Sequence, residues 1–356
     1  MKKLITILLT FSTLLTVAAC SEEGNNPGTT EHVHQWANAS CIAPKTCKTC
    51  GATEGEALSH EYQNNKCINC GQAHPGSAGL EFEMYDDTYA VMGFGTCTDT
   101  DVIIPSTYNG LPVTAIDPMA FLGNETIKSV VVPEGILTIG DRAFQGCINL
   151  GQITLPKGLT TIGELAFEGC EILGDTVLPD TVTEIGQEAF KGCASMYFIN
   201  IPEGVTTLWY ETFSGCACLT TIVIPDSVVD IRDQVFAYCS SLSTVTMPKH
   251  LDFLGSDVFA LCSSLESIVI PEGTYELGTW SFIGNDKLEN VYLPSTITAL
   301  GYGVFEHSGR ITELHFAGTM EQWNAIEFDD QWNVNCPLSV VHCSDGDLEI
   351  EWVAAE

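Results

Sequence analysis

Residues 150–170 read LGQITLPKGLTTIGELAFEGC. Leu150, Ile153 and Leu155 lead up to Pro156 as a short strand with period two, and Leu159, Ile162, Ala166 and Phe167 supply the remaining inward positions. Residues 219–239, LTTIVIPDSVVDIRDQVFAYC, repeat the same pattern. Working outward, Phe121, Phe144, Phe167, Phe190, Phe213, Phe236, Phe259, Phe282 and Phe305 fall 23 positions apart, in one unbroken column. Pro133, Pro156, Pro179, Pro202, Pro225, Pro248, Pro271 and Pro294 form a second column of the same period. Cys147, Cys170, Cys193, Cys216, Cys239 and Cys262 form a third.

A fixed period of this length marks a solenoid, in which no coil buries its apolar edge alone and each must stack on its neighbours. Proline lacks a backbone donor, so its column marks where each strand ends and the chain turns. Stacked cysteines in neighbouring coils have parallel Cβ vectors, which is poor disulfide geometry, so the column reads as buried free thiols. Asn124, Asn285 and Ser308 occupy that column in the end repeats. Cys218 stands in a column otherwise holding residues such as Asn149 and Ser195, and reads as an exposed, reactive thiol.

These columns resemble the BspA-like leucine-rich-repeat family of bacterial surface proteins, over residues 79 to 356. The resemblance implies a leucine-rich solenoid of 23-residue coils with a parallel sheet on one face, used for display and binding rather than for chemistry.

Composition agrees. Lys plus Arg number 13 against 46 Asp plus Glu, a net charge of −33, which repels nucleic acid and anionic lipid. The mean hydropathy is nevertheless +0.16, because the repeats commit so many positions to a core. Lys2 and Lys3 precede an apolar run from Leu4 to Val17 that is too short for a permanent membrane span, so residues 1–19 read as a signal peptide. The sequence LTVAAC ending at Cys20 resembles a bacterial lipobox, which implies a lipidated Cys20 and a membrane anchor in the bacterial cell envelope. Residues 20–31 are polar with Gly and Pro, a flexible linker.

Residues 32–76 carry the metal-type constellation. Cys47-x2-Cys50 and Cys67-x2-Cys70 are separated by sixteen residues, which is zinc-ribbon spacing. The segment also resembles a short module found ahead of repeats in bacterial surface proteins, which implies the alternative grouping Cys41, Cys47, Cys50 and His60. Either set would hold a structural zinc; a disulfide framework is the competing reading in an oxidising compartment.

Residues 79–115 read as an N-terminal cap opening on a hairpin turned at Asp86-Asp87, ahead of the repeats at 116–316. Residues 317–356 read as the C-terminal cap, with Ala317 where the proline column would continue, a short helix in GTMEQWNAI and core tryptophans Trp323 and Trp332. No convergent acid, base or nucleophile, phosphate loop or nucleophile elbow is found, so the chain reads as a non-enzyme.

The candidate ligand-binding residues are departures from the repeat's own consensus. Tyr210 and Tyr302 interrupt the polar column of Asp141, Glu164 and Gln187; Trp280 interrupts that of Arg142, Glu188 and Asp257; Trp209 replaces the Gly of Gly140, Gly163 and Gly186. Large aromatics at outward positions are typical interface anchors. The leading function is therefore adhesion to, or recognition of, a protein or glycan on a host or bacterial surface. The alternative is a passive spacer. The second candidate surface is the sheet face near Phe198, Tyr292 and His315.

Overall fold

A computed structural model describes residues 74–351 and short segments at 36–37, 45–48, 53–54, 62–63 and 66–67. The chain divides into two compact units, Met1–His74 and Pro75–Glu356. In the first, Trp36–Ala37, Lys45–Cys47 and Thr53–Glu54 pair antiparallel in that order, and Tyr62–Gln63 pairs with Lys66–Cys67.

The second unit is the repeat solenoid. Its spine is the phenylalanine column: every one of the nine rings is at most 1% exposed. Consecutive rings stack with centroids 4.9 Å (Phe121 and Phe144) to 5.8 Å (Phe190 and Phe213) apart. The column is closed edge-on at both ends, by Phe94 on Phe121 and by Trp332 on Phe305. A ring between two rings has no other surface to lose, so the column fixes the rise of each coil.

Two parallel ladders run alongside. The first is the strand before the proline, as in Ser129–Val131 paired with Gln152–Thr154, or Ser267–Val269 paired with Asn290–Leu293. The second was not read from the sequence and corrects the expectation of a sheet on one face only: Thr138–Ile139, Thr161–Ile162 and Glu184–Ile185 pair in register further along each coil. These strands are two residues long, one side chain out and one in, too short for a period-two pattern to show. A third set of bonds ties the turns around the phenylalanines, as from the Arg142 amide to the Glu164 carbonyl at 2.7 Å and from Phe144 to Ala166 at 2.8 Å.

To aim each ring inward the chain turns tightly on both sides of it. Residues two before and two after every phenylalanine adopt positive φ, including Arg142 (58°), Glu188 (55°) and Trp280 (55°) before, and Gly146 (71°) and Gly192 (72°) after. Tyr238 (63°), Leu261 (59°) and His307 (57°) stand where the other coils have glycine, in a conformation that disfavours a side chain.

The cysteine column is fully buried. Each thiol donates to the carbonyl of the phenylalanine 26 residues earlier, at 3.1 Å for Cys147 to Phe121 and 3.3 Å for Cys216 to Phe190. Asn285 and Ser308 make the equivalent bond, to Phe259 at 3.0 Å and to Phe282 at 2.8 Å. The column is thus a row of small donors satisfying a buried carbonyl, which explains why Ser and Asn replace Cys there. Burial pushes the Cys147 thiol up to about 11 and those of Cys216 and Cys262 up to about 12. Cys218 is only partly buried.

The ends are covered. Glu81–Tyr85 and Thr88–Gly93 form an antiparallel hairpin beside Leu111–Ile116 and close the second ladder. At the other end Val340–Cys343 continues the first ladder and Gly346–Glu349 folds back antiparallel on it. The helix Met320–Trp323 starts with a capping box between Thr319 and Gln322. It seats Trp323, 2% exposed, 5.9 Å from Trp332.

Candidate functional site

The glycine column preceding the left-handed turn explains what is unusual at Trp209. A Cβ on Gly186 would lie 2.5 Å from the Glu164 amide nitrogen, and one on Gly140 2.5 Å from the Pro118 nitrogen. The coils touch backbone to backbone there, and each glycine donates to the coil before it, as Gly186 does to Ile162 at 2.8 Å. Arg232 nevertheless occupies the same column with its amide still donating to Leu208 of the preceding coil at 2.9 Å. The second ladder is interrupted between Glu184–Ile185 and Thr207–Leu208, and again between Phe253–Leu254 and Glu276–Leu277, where the column holds Gly255 and Gly278. Phe190 and Phe213 stand 5.8 Å apart across the first of these joints, as Phe282 and Phe305 do further along the stack.

The first of these joints displays a cluster. Trp209 is 40% exposed and Tyr210 41%. Arg232, in the same column one coil on, lays its guanidinium 5.9 Å from the Trp209 ring centre and 5.0 Å from that of Phe253. Its Nη2 donates to Asp230 at 2.7 Å. A cation held between two rings and a carboxylate is fixed in place before any ligand arrives. Beside it Lys191 bridges Glu188 and Glu211. Burial works against the Glu188 charge, but hydrogen bonds from Gln187 and Lys191 outweigh it and hold the carboxyl below its ordinary value.

Trp280 and Tyr302 form a separate group three coils away from Trp209. Their rings meet edge to face at 5.7 Å, and the Trp280 Nε1–H donates to Glu306 at 3.0 Å. Trp280 also lies across Gly303 of the next coil, where a Cβ would come within 2.7 Å of the indole. This pair is therefore anchored in the coil stack, with one edge left outward. The four aromatics read from the sequence fall into two clusters rather than one. Arg232 and Phe253 were missed: an arginine in a glycine column was the available signal.

On the first ladder, Val177, Tyr197, Phe198 and Val223 are 69%, 60%, 48% and 57% exposed. The first three lie where that ladder is reduced to a single bridge between Thr176 and Ile199, the Asp175 carboxylate taking the Tyr197 and Phe198 amides at 3.0 and 2.9 Å, and Val223 ends the next strand, Thr221–Val223. Tyr292 and His315 stack at 4.6 Å at the C-terminal end of the same ladder.

Of the proposed metal ligands, Cys67 is buried in the strand Lys66–Cys67 and Cys47 ends the strand Lys45–Cys47. Cys41, Cys50, His60 and Cys70 lie outside the described residues, as does Cys20. Among the described residues no three His, Cys, Asp or Glu side chains converge on one point, and no helix is long and apolar enough to cross a membrane.

Two parallel ladders on 23-residue coils, stacked on an aromatic spine, define a leucine-rich-repeat solenoid. The chain belongs to the BspA-type leucine-rich-repeat family, whose model matches in six copies over residues 114–240 and 210–335. Three solved structures share the fold. A leucine-rich repeat protein from Bacteroides ovatus is 24% identical, with 78% of each chain covered and a TM-score of 0.55. One from T. pallidum is 30% identical over 52% of this chain and 88% of its own, at 0.50. The pneumococcal vaccine antigen PcpA is 18% identical over 75% and 80%, at 0.52. A comparison with curated proteins returned no match.

Proposed function

We propose that this protein is a lipid-anchored binding protein of the bacterial cell surface, tethered through Cys20, that recognises a protein or glycan through the outward edge of its repeats and performs no chemistry. The observation that carries the reading is Trp209. It stands in a column that is glycine in most coils, it lies at an interruption of the second ladder, and its ring is left partly in solvent beside Tyr210, Arg232 and Phe253. A large aromatic left exposed beside a guanidinium already held in place is suited to anchoring a partner. Trp280 and Tyr302 supply a second contact further along. The net charge of −33 turns nucleic acid away.

The 32–76 module holds a structural zinc in this proposal, through Cys47, Cys50, Cys67 and Cys70 or through Cys41, Cys47, Cys50 and His60. Metal analysis of anaerobically purified protein should find zinc lost on Cys47→Ser, which both groupings share. Zero metal with the four ribbon cysteines oxidised would decide for disulfides.

The test of function is a lipid-free Cys20→Ala protein probed against extracellular-matrix and glycan arrays, with Trp209→Gly/Tyr210→Gln alongside. A ligand bound by the first and not the second supports the reading. Silence on both, with the anchored protein shown to be surface-exposed, favours the passive spacer.

A further inference from the structure

The hairpin at the N-terminal end of the second ladder leaves a strand edge open. Glu81–Tyr85 is the last strand of its sheet: it pairs with Thr88–Gly93 and, among the described residues, with no strand on its other side. Tyr85 and Thr88 are register partners across the two-residue turn Asp86-Asp87. Hydrogen-bonded and non-bonded pairs alternate away from such a turn, so Tyr85 and Glu83 bond into the hairpin, while Met84 and Phe82 turn their N–H and C=O groups outward.

The two faces of this strand differ. Glu81, Glu83 and Tyr85 stand on one face, all exposed. Asp117 joins that face through the Tyr85 hydroxyl, which donates to it at 3.2 Å. Burial holds the Asp117 carboxyl above its ordinary value and the Glu83 charge adds to this, against the pull of the Tyr85 hydrogen bond. Among the described residues no Lys, Arg or His ion-pairs with Glu81, Glu83 or Asp117. On the other face Phe82 stacks on Tyr108 at 4.1 Å, and Met84 beside it is 58% exposed.

We propose that the Glu81–Tyr85 edge is a second docking surface, separate from the aromatic edge of the repeats, and that it takes an extended segment of a partner protein in which basic and apolar residues alternate. Such a segment adds a strand to the sheet through the outward groups of Phe82 and Met84. Its alternate side chains fall on opposite faces, one set about 5 Å from Glu81 and Glu83 and the other beside Phe82 and Met84. Lysine or arginine supplies the charge that the acidic face lacks, and an aliphatic residue covers the apolar face. A second copy of this chain is the wrong occupant. Pairing this edge with itself sets glutamate against glutamate, on chains that each carry a net charge of −33. The charge that rejects a second copy selects a basic strand.

The experiment is fluorescence polarisation on the full reduced Cys20→Ala chain. The probes are a labelled peptide alternating lysine and valine, and one of the same composition with its lysines and valines in separate blocks. The alternating peptide should bind more tightly. Met84→Pro removes an outward N–H that no ladder bond uses, a change an edge strand tolerates. It should weaken the alternating peptide roughly tenfold and leave the blocked one unchanged. Trp209→Gly/Tyr210→Gln should bind the alternating peptide as its parent does; a loss there overturns the separation of the two surfaces. Equal binding of the two peptides, or no loss on Met84→Pro, overturns the proposal and reduces the attraction to bulk charge. Should Met84→Pro not fold, hydrogen exchange on the parent chain decides, because the Phe82 and Met84 amides must slow when the alternating peptide is added. Exchange unchanged by the peptide overturns the proposal, as does exchange already slow in a dimer without it, which would make the occupant a second copy.

Discussion

Raising the pH from 8 to 10 should destabilise this solenoid through its cysteine column. A thiol whose folded value lies above its unfolded value keeps its proton in the native state while the unfolded chain gives it up. The stability it contributes is intact below the unfolded value and falls as pH rises from there toward the folded one. Here the ordinary value is 9.0, and Cys147 is pushed up to about 11, Cys216 and Cys262 up to about 12. At pH 10 each unfolded thiol gains about 1.4 kcal/mol from ionisation that the folded thiol does not share. These three cost the native state about 4 kcal/mol, a large share of an ordinary folding free energy. The assay is urea unfolding at pH 8 and pH 10 in reductant, for the wild type and for Cys147→Ser/Cys216→Ser/Cys262→Ser. Serine can cap the phenylalanine carbonyl as Ser308 does, so the variant should fold, and lysine and tyrosine titration is common to both proteins. The wild type should lose several kcal/mol more than the variant over this interval. Equal losses would show that the column is not buried as drawn.

Phe213→Ala, between rings at 5.8 and 5.6 Å, should cost about 3 to 5 kcal/mol by the same unfolding assay, since neighbours held on both sides cannot refill the cavity. Tyr238→Gly should stabilise by roughly 1 kcal/mol, because it relieves a left-handed tyrosine that is 58% exposed in a position where other coils carry glycine. Hydrogen exchange should find the Trp209 amide less protected than those of Gly186 and Arg232, which donate to the preceding coil at 2.8 and 2.9 Å. Under native, reducing conditions a thiol reagent should modify Cys218 and Cys343 ahead of the six column cysteines.

What the sequence disclosed was the part of the fold that repeats in side-chain type. A phenylalanine every 23 residues announces a buried column, and Ile153 and Leu155 before Pro156 announce a strand that ends at a corner. The second ladder stayed hidden because Thr161 and Ile162 are a single out-and-in pair, with no period to detect. The left-handed turns stayed hidden for a different reason. Arg142, Leu165, Glu188 and Asp257 share a backbone conformation, not a chemistry, and nothing in those side chains reports a positive φ. At the candidate site the reverse held. Trp209 was legible as a breach of the glycine column, but its consequence depends on how closely one coil approaches the next, which only coordinates express. The cluster with Arg232 and Phe253 depends on how successive coils stack and on residues 21 positions apart in sequence.

The central claim is that exposed aromatics on the repeat edge exist to hold a partner. It is tested most directly by the equilibrium affinity of the Cys20→Ala protein for its array-identified ligand, measured beside Trp209→Gly/Tyr210→Gln with matched unfolding midpoints. The account predicts at least a tenfold loss, about 1.4 kcal/mol. Unchanged affinity would contradict it and move the binding surface to the first-ladder face around Val177, Phe198 and Tyr292.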